Sequence, residues 1–210
     1  ELRTNLEGLY AAGDQLFASN CHGHAATTGH YAGRHAANYA IKASEPSIDL
    51  HQVEQERNRV FSPVDRKDGI AWKELNMHIS RLMQHHCGEI KSDGLLAAGL
   101  EQLGSIQENE ALKLYARNPH ELVRSLEVLN ILTNAGIIVH ACLARKASSK
   151  HLHFIRSDYA EMDPPKWHKF VTVKLEKNRI VVGEKPIDYY GSLEENYESH
   201  NPEYSKGFKR

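Results

Sequence analysis

Asp14 is the residue whose surroundings most clearly suggest chemistry. It follows Gly13 at the end of a short apolar run, residues 9–12. An unbroken apolar run is typical of a strand that is covered on both faces, and glycine lets the backbone turn sharply or approach a ligand closely. Open α/β sheets bind ligands at the carboxyl ends of their strands. Because an ionised carboxylate only accepts hydrogen bonds, we expect Asp14 to bind the hydroxyl groups of a sugar or a sugar-like chain.

A segment rich in small residues follows and must face Asp14. Residues 15–26 are predicted to be a loop and residues 27–40 a helix, with Thr27 or Thr28 as its N-cap. Small side chains would let the free N–H groups and the positive end of this helix approach a cofactor closely. An ordinary strand–loop–helix crossover with a tight Gly-Asp turn is the alternative, because short glycine motifs are weak signals. The predicted cofactor-binding residues are Gly13, Asp14, Thr27, Thr28 and Gly29.

Two parts of the sequence carry a resemblance to known flavoproteins. Residues 4–14, which end in Gly-Leu-Tyr-Ala-Ala-Gly-Asp, look like the second FAD motif of two-dinucleotide-binding flavoproteins. The order of parts after this motif is similar to the carboxyl-terminal half of the fumarate reductase/succinate dehydrogenase flavoprotein family. Several stretches look like the alpha subunit of the adenylylsulfate reductases in that family: residues 23–29, 81–83, 116–124, 156–158, 162–163 and 167–171.

The resemblance implies an FAD-dependent oxidoreductase and gives roles to several side chains. Asp14 would bind the ribityl hydroxyls of FAD, while Thr28 and Gly29 would face the flavin or the pyrophosphate. His24 and His30 are the catalytic candidates, because they are the histidines best placed to face a small-molecule substrate. The reaction implied is the two-electron reduction of adenylylsulfate to sulfite and AMP, with electrons from a separate iron–sulfur subunit.

Two departures from the family pattern leave other functions open. In fumarate reductases, an Arg that binds and protonates the dicarboxylate follows a His-Gly pair, and alignment on residues 22–23 places Ala26 at that position. The Arg-x-Glu-Ser/Thr-Arg run of the family reads Arg-Lys-Ala-Ser-Ser-Lys at residues 145–150, so one Arg and the Glu are missing. The alternatives are a fumarate reductase/succinate dehydrogenase-like paralogue with another substrate and a non-catalytic helical interaction module.

A complete FAD domain opens with a Gly-x-Gly-x-x-Gly turn, and this sequence contains none. We therefore expect the chain to be the carboxyl-terminal fragment of a longer flavoprotein, with FAD bound in the full-length protein. The glycine-rich half supplies the pyrophosphate turn and most of the adenosine pocket. This fragment is accordingly predicted to bind FAD weakly or not at all, and to be inactive alone.

Composition excludes several other functions. The 210 residues carry 26 basic and 27 acidic side chains, so no net charge attracts nucleic acid. No apolar run approaches ~18 residues, so no membrane span is predicted. Three widely spaced cysteines argue against a disulfide framework and for a reducing, cytoplasmic location. Histidines lie beside cysteines at residues 21–24 and 85–87, but no further ligand pair lies at recognisable spacing, so no metal site is predicted.

The secondary-structure elements predicted for the rest of the chain are mostly helical. Apolar positions recur at helical spacing in four segments: residues 48–62, 70–87, 93–115 and 119–143. Residues 63–69 are predicted to be a loop, Ser92 or Asp93 can cap the third helix, and the Asn118-Pro119 pair starts the fourth. These segments predict a four-helix antiparallel bundle, whose last helix is apolar nearly all round and should be its most buried member. Alternating residues 170–182 predict a small β-hairpin, with a polar tail from Asp188.

The predicted fold is therefore mainly α. A four-helix antiparallel bundle is preceded by the last strand and helix of an FAD-binding α/β domain and is followed by a small β-hairpin. The expected boundaries are 1–45 for the end of the FAD-binding domain, 46–150 for the bundle, and 151–210 for the capping segment and tail.

Overall fold

The computed structural model describes residues 2–16, 21–177, 179–187, 191–192 and 195. The chain divides into two compact units, Glu1–Val53 and Glu54–Arg210. The expected mainly helical fold with a carboxyl-terminal hairpin is confirmed. The three-part division at residues 45 and 150 stays a prediction.

The helix of the first unit, α1 (His22–Lys42), begins earlier than predicted. Its N-cap is Cys21, which makes no side-chain capping hydrogen bond, and the Ala25 N–H donates to the Cys21 carbonyl at 3.0 Å. The predicted loop over residues 15–26 and the predicted N-cap at Thr27 or Thr28 are therefore wrong. The reason is that alanines follow directly after His24, and alanine is the strongest helix former.

Residues 2–16 form a tight reversal and not a buried strand. The Thr4 N–H donates to the Leu9 carbonyl at 2.9 Å, and Tyr10 pairs with Arg3 in an isolated antiparallel bridge. Gly8 allows the turn with a φ of 77°. Leu9 is 51% exposed. The predicted strand over residues 9–12 is wrong here, because among the described residues its backbone pairs with residues 2–4 and not with a sheet.

Three helices build the core of the second unit: α3 (Trp72–His86), α4 (Asp93–Ser105) and α5 (Pro119–Ala144). Each of them packs against the other two. Their buried apolar side chains, with those of the α4–α5 connection, form one cluster: Leu75, Ile79, Leu82, Leu96, Leu103, Ile106, Leu114, Val128, Leu132, Ala135 and Val139.

A glycine lets α3 and α4 approach closely. A β-carbon placed on Gly99 would lie 2.6 Å from the Cβ of His86, which is shorter than any real contact. Ser92 caps α4 by accepting a hydrogen bond from the Leu95 N–H at 3.3 Å, as predicted. The helix ends at Ser105 and not near Tyr115, because a π-turn and a 3₁₀ turn follow it.

The helix α2 (Leu50–Asp65) joins the core through its last turn. It carries Pro63 inside its span, where a loop was predicted. The Pro63 carbonyl accepts a hydrogen bond from the Ala116 N–H at 2.8 Å, and the Arg66 guanidinium donates to the Leu114 carbonyl at 2.6 Å. These bonds attach the end of α2 to the α4–α5 connection.

The long helix α5 starts as predicted, at Pro119 after an Asn118 cap. One side of α5 is buried, and α5 contributes more buried residues than α3 or α4, as expected of the most buried helix, whereas Ile131 and Ile138 are 43% and 48% exposed. Among the described residues, α5 is the helix that is long and apolar enough to cross a membrane by length and composition. Core helices of soluble proteins pass the same test, and the buried side of α5 packs on α3 and α4.

Arg156 organises the junction after α5. The short strands β1 (Ile90–Lys91) and β2 (Ile155–Arg156) pair in parallel and place it beside the start of α4. Its side chain is fully buried, and its five N–H donors make five hydrogen bonds. The acceptors are Asp158 at 2.9 Å twice, Asp93 at 2.6 Å, the Cys142 carbonyl at 2.7 Å and the Arg145 carbonyl at 2.9 Å.

The two carboxylates of this network have further partners. Asp93 also accepts hydrogen bonds from the Lys146 ammonium at 2.7 Å and the Tyr159 hydroxyl at 3.2 Å, and Asp158 accepts one from the Asp93 N–H at 2.6 Å. The hydrogen bonds from Arg156 lower the pKa of Asp158 to about 2. The Lys146 ammonium and then Arg156 lower the pKa of Asp93. The network therefore fixes the start of α4, the end of α5 and strand β2 against one another.

The hairpin that was predicted is present. Strands β3 (Lys169–Glu176) and β4 (Arg179–Pro186) pair in antiparallel register from Lys169 opposite Pro186 to Glu176 opposite Arg179. It lies against α5. Asn178 of its predicted turn lies outside the described residues, and so does most of the predicted tail.

We expect Leu75→Ala to lower the free energy of unfolding by about 2–5 kcal/mol, because the side chain is fully buried in the core and its removal leaves a cavity. Met77→Ala, on the same helix but 53% exposed, should change it by less than about 0.5 kcal/mol. Urea denaturation followed by circular dichroism measures both. Equal losses in the two variants would contradict the assignment of the core face of α3.

We expect the Arg156 network to make stability depend on acid pH. The pKa of Asp158 falls from its ordinary value of 3.8 to about 2 on folding. A lowered pKa contributes stability that is fully present above about pH 4 and is lost as the pH falls towards 2. Asp158→Asn should therefore be less stable than the wild type at pH 7, by a margin that shrinks as the pH falls from 4 to 2.

Denaturation at a series of pH values measures this margin. Glu161→Gln is the matched control, because Glu161 is an exposed carboxylate 3.9 Å from the exposed Lys166. This variant should follow the wild type at every pH. A margin for Asp158→Asn that stays constant between pH 7 and 2.5 would show that Asp158 does not act through its charge.

Candidate functional site

A hydrogen-bonded turn at Gly13 forms the candidate site of the first unit. The Gly13 N–H donates to the Thr28 hydroxyl oxygen at 2.9 Å, and the Thr28 hydroxyl donates to the His24 carbonyl at 2.6 Å. The His24 ring nitrogen Nε2 lies 3.3 Å from the Gly13 carbonyl oxygen. Gly13 is buried and has a φ of 64°, in the left-handed region that favours glycine. The turn is thus bound to α1 through both the N–H and the carbonyl of Gly13.

Further contacts hold residues 7–13 along the same helix. The Tyr10 hydroxyl donates to the His35 carbonyl at 3.3 Å. A hydrogen bond with Glu7 raises the pKa of Tyr39, one turn further along α1. A β-carbon on Gly8 would lie 3.3 Å from the Tyr39 ring, so the backbone passes close to it. These contacts follow α1 in order and fix where the Gly13 turn lies.

Asp14 is left available by this arrangement. It lies in a single 3₁₀ turn, Gly13–Gln15, which the Leu16 N–H closes by donating to the Gly13 carbonyl at 3.0 Å. Its side chain is exposed and makes no hydrogen bond or ion pair with any residue that the structure describes. A carboxylate with a fixed backbone and unused lone pairs can accept hydrogen bonds from neighbouring hydroxyl groups of one ligand.

The predicted residues on α1 lie in different surroundings. Thr28 contacts the Gly13 turn through its hydroxyl, whereas Thr27 and Gly29 are exposed. All three lie inside the helix, so the prediction that their amides are free at a helix N-terminus is wrong. The amides without an intrahelical acceptor belong to the first residues of α1, His22 and Gly23. No sequence signal marked this start, because Cys21 is not a usual N-cap residue.

The structure does not bring the two candidate histidines together. His24 is half-buried and faces the Gly13 turn, while His30 is exposed. Six residues of an α-helix amount to roughly 600° of rotation, which leaves the two side chains about 120° apart around the axis. Arg34, also exposed, lies one turn beyond His30 on its side of the helix. The catalytic roles of His24 and His30 stay predictions.

The second unit contains a group of cations around two aromatic rings. Arg145, from the run that departs from the family pattern, lies 5.9 Å from the Phe154 ring centre and 5.7 Å from that of Trp167. Lys91 lies 4.8 Å above Phe154, and Lys169 lies 4.3 Å above Trp167. The Arg145 Nε is buried and has no hydrogen-bond partner among the described residues. Sequence analysis noted the run 145–150 and the stretch 167–171 but not their contacts, because helix and strand spacing do not show which rings meet which cations.

A cavity of about 210 Å³ lies between the starts of α3 and α5. None of the predicted site residues lines it. Its lining residues are Ala71, Trp72, Lys73, Tyr115, Arg117, His120 and Glu121. The Arg117 guanidinium donates to both carboxylate oxygens of Glu121, the shortest bond being 2.6 Å, and this lowers the pKa of Glu121 to about 2. The Arg117–Glu121 pair is therefore neutral as a whole, and Lys73 adds a positive charge to the lining of this cavity.

The histidine–cysteine stretches do not converge into a ligand set. His86 has its ring Nδ1 3.1 Å from the Leu95 carbonyl and its Nε2 3.3 Å from the Gln102 amide, while His85 is exposed. Within the described ranges of the chain, no three His, Cys, Asp or Glu side chains are grouped so that they could hold a metal ion.

Comparison with known proteins gives one family and several relatives. The family described as fumarate reductase flavoprotein C-term matches residues 76–201, more than half of the chain. The L-aspartate oxidase of Streptomyces coelicolor is 27% identical over 195 residues, which are 85% of this chain and 32% of that protein. The succinate dehydrogenase flavoprotein subunit of Rickettsia bellii is 26% identical over 165 residues, 74% of this chain and 27% of that protein.

The fold has a counterpart among solved structures. The adenylylsulfate reductase of Archaeoglobus fulgidus superimposes with a TM-score of 0.70 at 22% identity, over 78% of this chain and 29% of that one. The chain therefore spans about a third of the length of the relatives it matches. It belongs to the fumarate reductase/succinate dehydrogenase flavoprotein family of oxidoreductases and corresponds to the carboxyl-terminal part of these proteins.

Proposed function

We propose that this chain supplies part of the FAD site of a flavoprotein oxidoreductase, with Asp14 binding the ribityl hydroxyls. The observation that carries the proposal is the Gly13 turn, whose N–H is bound by the Thr28 hydroxyl at 2.9 Å. This bond fixes the backbone next to Asp14, while the carboxylate itself is exposed and has no partner among the described residues. A pre-positioned acceptor of this kind fits a polyhydroxyl chain and loses little freedom on binding.

The other residues of the turn have supporting roles in this proposal. Thr28 and His24 hold the N–H and the carbonyl of Gly13, so in this proposal they position Asp14. The amides of His22 and Gly23, which have no acceptor within α1, offer a place for the pyrophosphate or a flavin carbonyl. FAD supplies two-electron transfer when it is bound. Because the chain covers 32% or less of its curated relatives, the rest of the FAD site belongs to residues outside it.

For the substrate, we propose adenylylsulfate, reduced by two electrons to sulfite and AMP, with an iron–sulfur subunit as the electron donor. Three observations support this choice: the stretches that resemble adenylylsulfate reductases, Ala26 at the position of the dicarboxylate-binding Arg, and the structural similarity to the Archaeoglobus fulgidus enzyme. His30 is the histidine that is open to a ligand, since the ring of His24 is engaged with the Gly13 carbonyl.

A second candidate is a paralogue that oxidises an amino acid or a dicarboxylate. The relatives named L-aspartate oxidase and succinate dehydrogenase favour it, at 27% and 26% identity. A non-catalytic helical module is the third alternative, and it predicts no flavin in the natural gene product.

We expect Asp14→Ala to weaken FAD binding by roughly 10- to 100-fold in the natural gene product that contains this chain. The loss of hydrogen bonds to a charged group costs about 1.5–3 kcal/mol, and 1.4 kcal/mol is a factor of ten in affinity. Flavin absorbance of the purified protein and titration of the apoprotein with FAD measure the effect. The chain expressed alone, residues 1–210, should bind FAD weakly or not at all.

Gln15→Ala is the matched control, because Gln15 is the exposed neighbour of Asp14 in the same turn. It should bind FAD as the wild type does. A natural gene product without flavin would reject the proposed function as a whole. Equal affinities of the Asp14→Ala variant and the wild type would reject the role of Asp14.

Substrate assays on the flavin-loaded natural gene product separate the remaining candidates. We expect sulfite release from adenylylsulfate with a reduced one-electron dye as donor, because Ala26 stands at the position of the Arg that binds the dicarboxylate in fumarate reductases. Succinate and L-aspartate, each tested with an oxidised dye as acceptor, should give no turnover. Turnover of either one without any sulfite release would favour the second candidate.

A further inference from the structure

Two cysteines that lie far apart in the sequence meet in the second unit. Cys87 is the C-cap residue of α3, and Cys142 lies in the last turn of α5. Their sulfur atoms are 3.8 Å apart, although 55 positions separate the two residues in the sequence. Both are half-buried, free thiols. The spacing in the sequence argued against a disulfide, but the packing of α3 on α5 makes these two sulfurs neighbours.

The backbones on both sides are held in place. The Cys87 N–H donates to the Met83 carbonyl at 2.8 Å, which closes the end of α3. The Cys142 carbonyl accepts a hydrogen bond from the buried Arg156 guanidinium at 2.7 Å. The two thiols are therefore held 3.8 Å apart by fixed backbones, and a disulfide of about 2 Å requires the two sulfurs to approach each other further.

The charge around the pair is positive. Lys91 is a buried lysine whose ammonium donates to the Glu89 carbonyl at 3.2 Å. The S–H of Cys142 can donate to an ionised Cys87, and this bond, together with the charge of Lys91, lowers the pKa of Cys87 to about 7. The same hydrogen bond and burial raise the pKa of Cys142. Cys87 is therefore the thiol that ionises first, and a thiolate is the reactive form of cysteine.

We propose that Cys87 and Cys142 form a reversible oxidation site, a dithiol that a hydroperoxide converts into a disulfide joining α3 to α5. In the first step, the Cys87 thiolate attacks one peroxide oxygen. The O–O bond breaks, Cys87 becomes a sulfenic acid, and the leaving hydroxide takes a proton to become water.

In the second step, the sulfur of Cys142 attacks the sulfur of Cys87. The S–S bond forms, the S–O bond breaks, and the hydroxyl group leaves as water with the proton from Cys142. Two thiols have then lost two electrons, and one hydrogen peroxide has been reduced to two waters. A thiol reductant reverses the reaction. This site does not depend on the flavin or on the identity of the substrate.

The experiment treats the reduced full chain with hydrogen peroxide and follows it by intact mass, thiol titration and peptide mapping. We expect the three free thiols to fall to one, the mass to drop by two hydrogens, and a single cross-linked peptide pair to contain Cys87 and Cys142. Dithiothreitol should restore all three thiols. Cys21→Ser is the matched control, since it removes the exposed third cysteine, and it should still lose two hydrogens.

The single variants test the order of the steps. Cys142→Ser should stop at the sulfenic acid of Cys87, which a 1,3-diketone probe labels at that residue. Cys87→Ser, or Cys87→Ala if the serine variant does not fold, should form no intramolecular disulfide. Three thiols that persist in the oxidised wild type, or a disulfide that includes Cys21, would overturn the proposal. The peptide map of the wild type gives this result without any variant.

Discussion

The second unit depends on one buried positive charge. Burying an unpaired guanidinium would cost several kcal/mol, and Arg156 avoids this cost only because every one of its N–H donors has an acceptor. The acceptors come from the start of α4, the end of α5 and the segment after β2. None of these parts can move independently without leaving a charge uncompensated, so the guanidinium fixes their relative positions more strictly than apolar packing could.

The first unit uses neutral groups for a similar purpose. The order of residues 7–13 along α1 comes from single hydrogen bonds and close approaches at Gly13, Tyr10 and Gly8. Thr28 is central because its hydroxyl donates to its own helix and accepts from the turn. A hydroxyl of this kind links two backbone segments without adding a charge, which leaves the carboxylate of Asp14 as the charged group of the turn.

Local signals predicted local structure well. The Asn118-Pro119 pair, the Ser92 cap and the alternation of β3 and β4 each act over a few residues, and the structure confirms all three. The start of α1 was misplaced because threonine serves both as an N-cap and, inside a helix, as a donor to the carbonyl one turn back. The sequence showed both threonines but not which role they take.

Contacts between residues far apart in the chain could not be predicted from the sequence, for a physical reason. The contacts of Arg156 with Asp93 and of Cys87 with Cys142 depend on how three helices pack, and no periodicity carries that information. The exposed side of α5 was missed in the same way. Its composition is apolar all round, and only the positions of its neighbours decide which side is covered.

The uncovered side of α5 also bears on solubility. The chain carries a formal net charge of −1, so at neutral pH little electrostatic repulsion keeps one molecule away from another. Ile131 and Ile138 add an apolar stripe to this nearly neutral surface. The sequence pI is about 7.0, so the net charge of the chain is smallest close to physiological pH, and raising it in either direction adds repulsion between molecules.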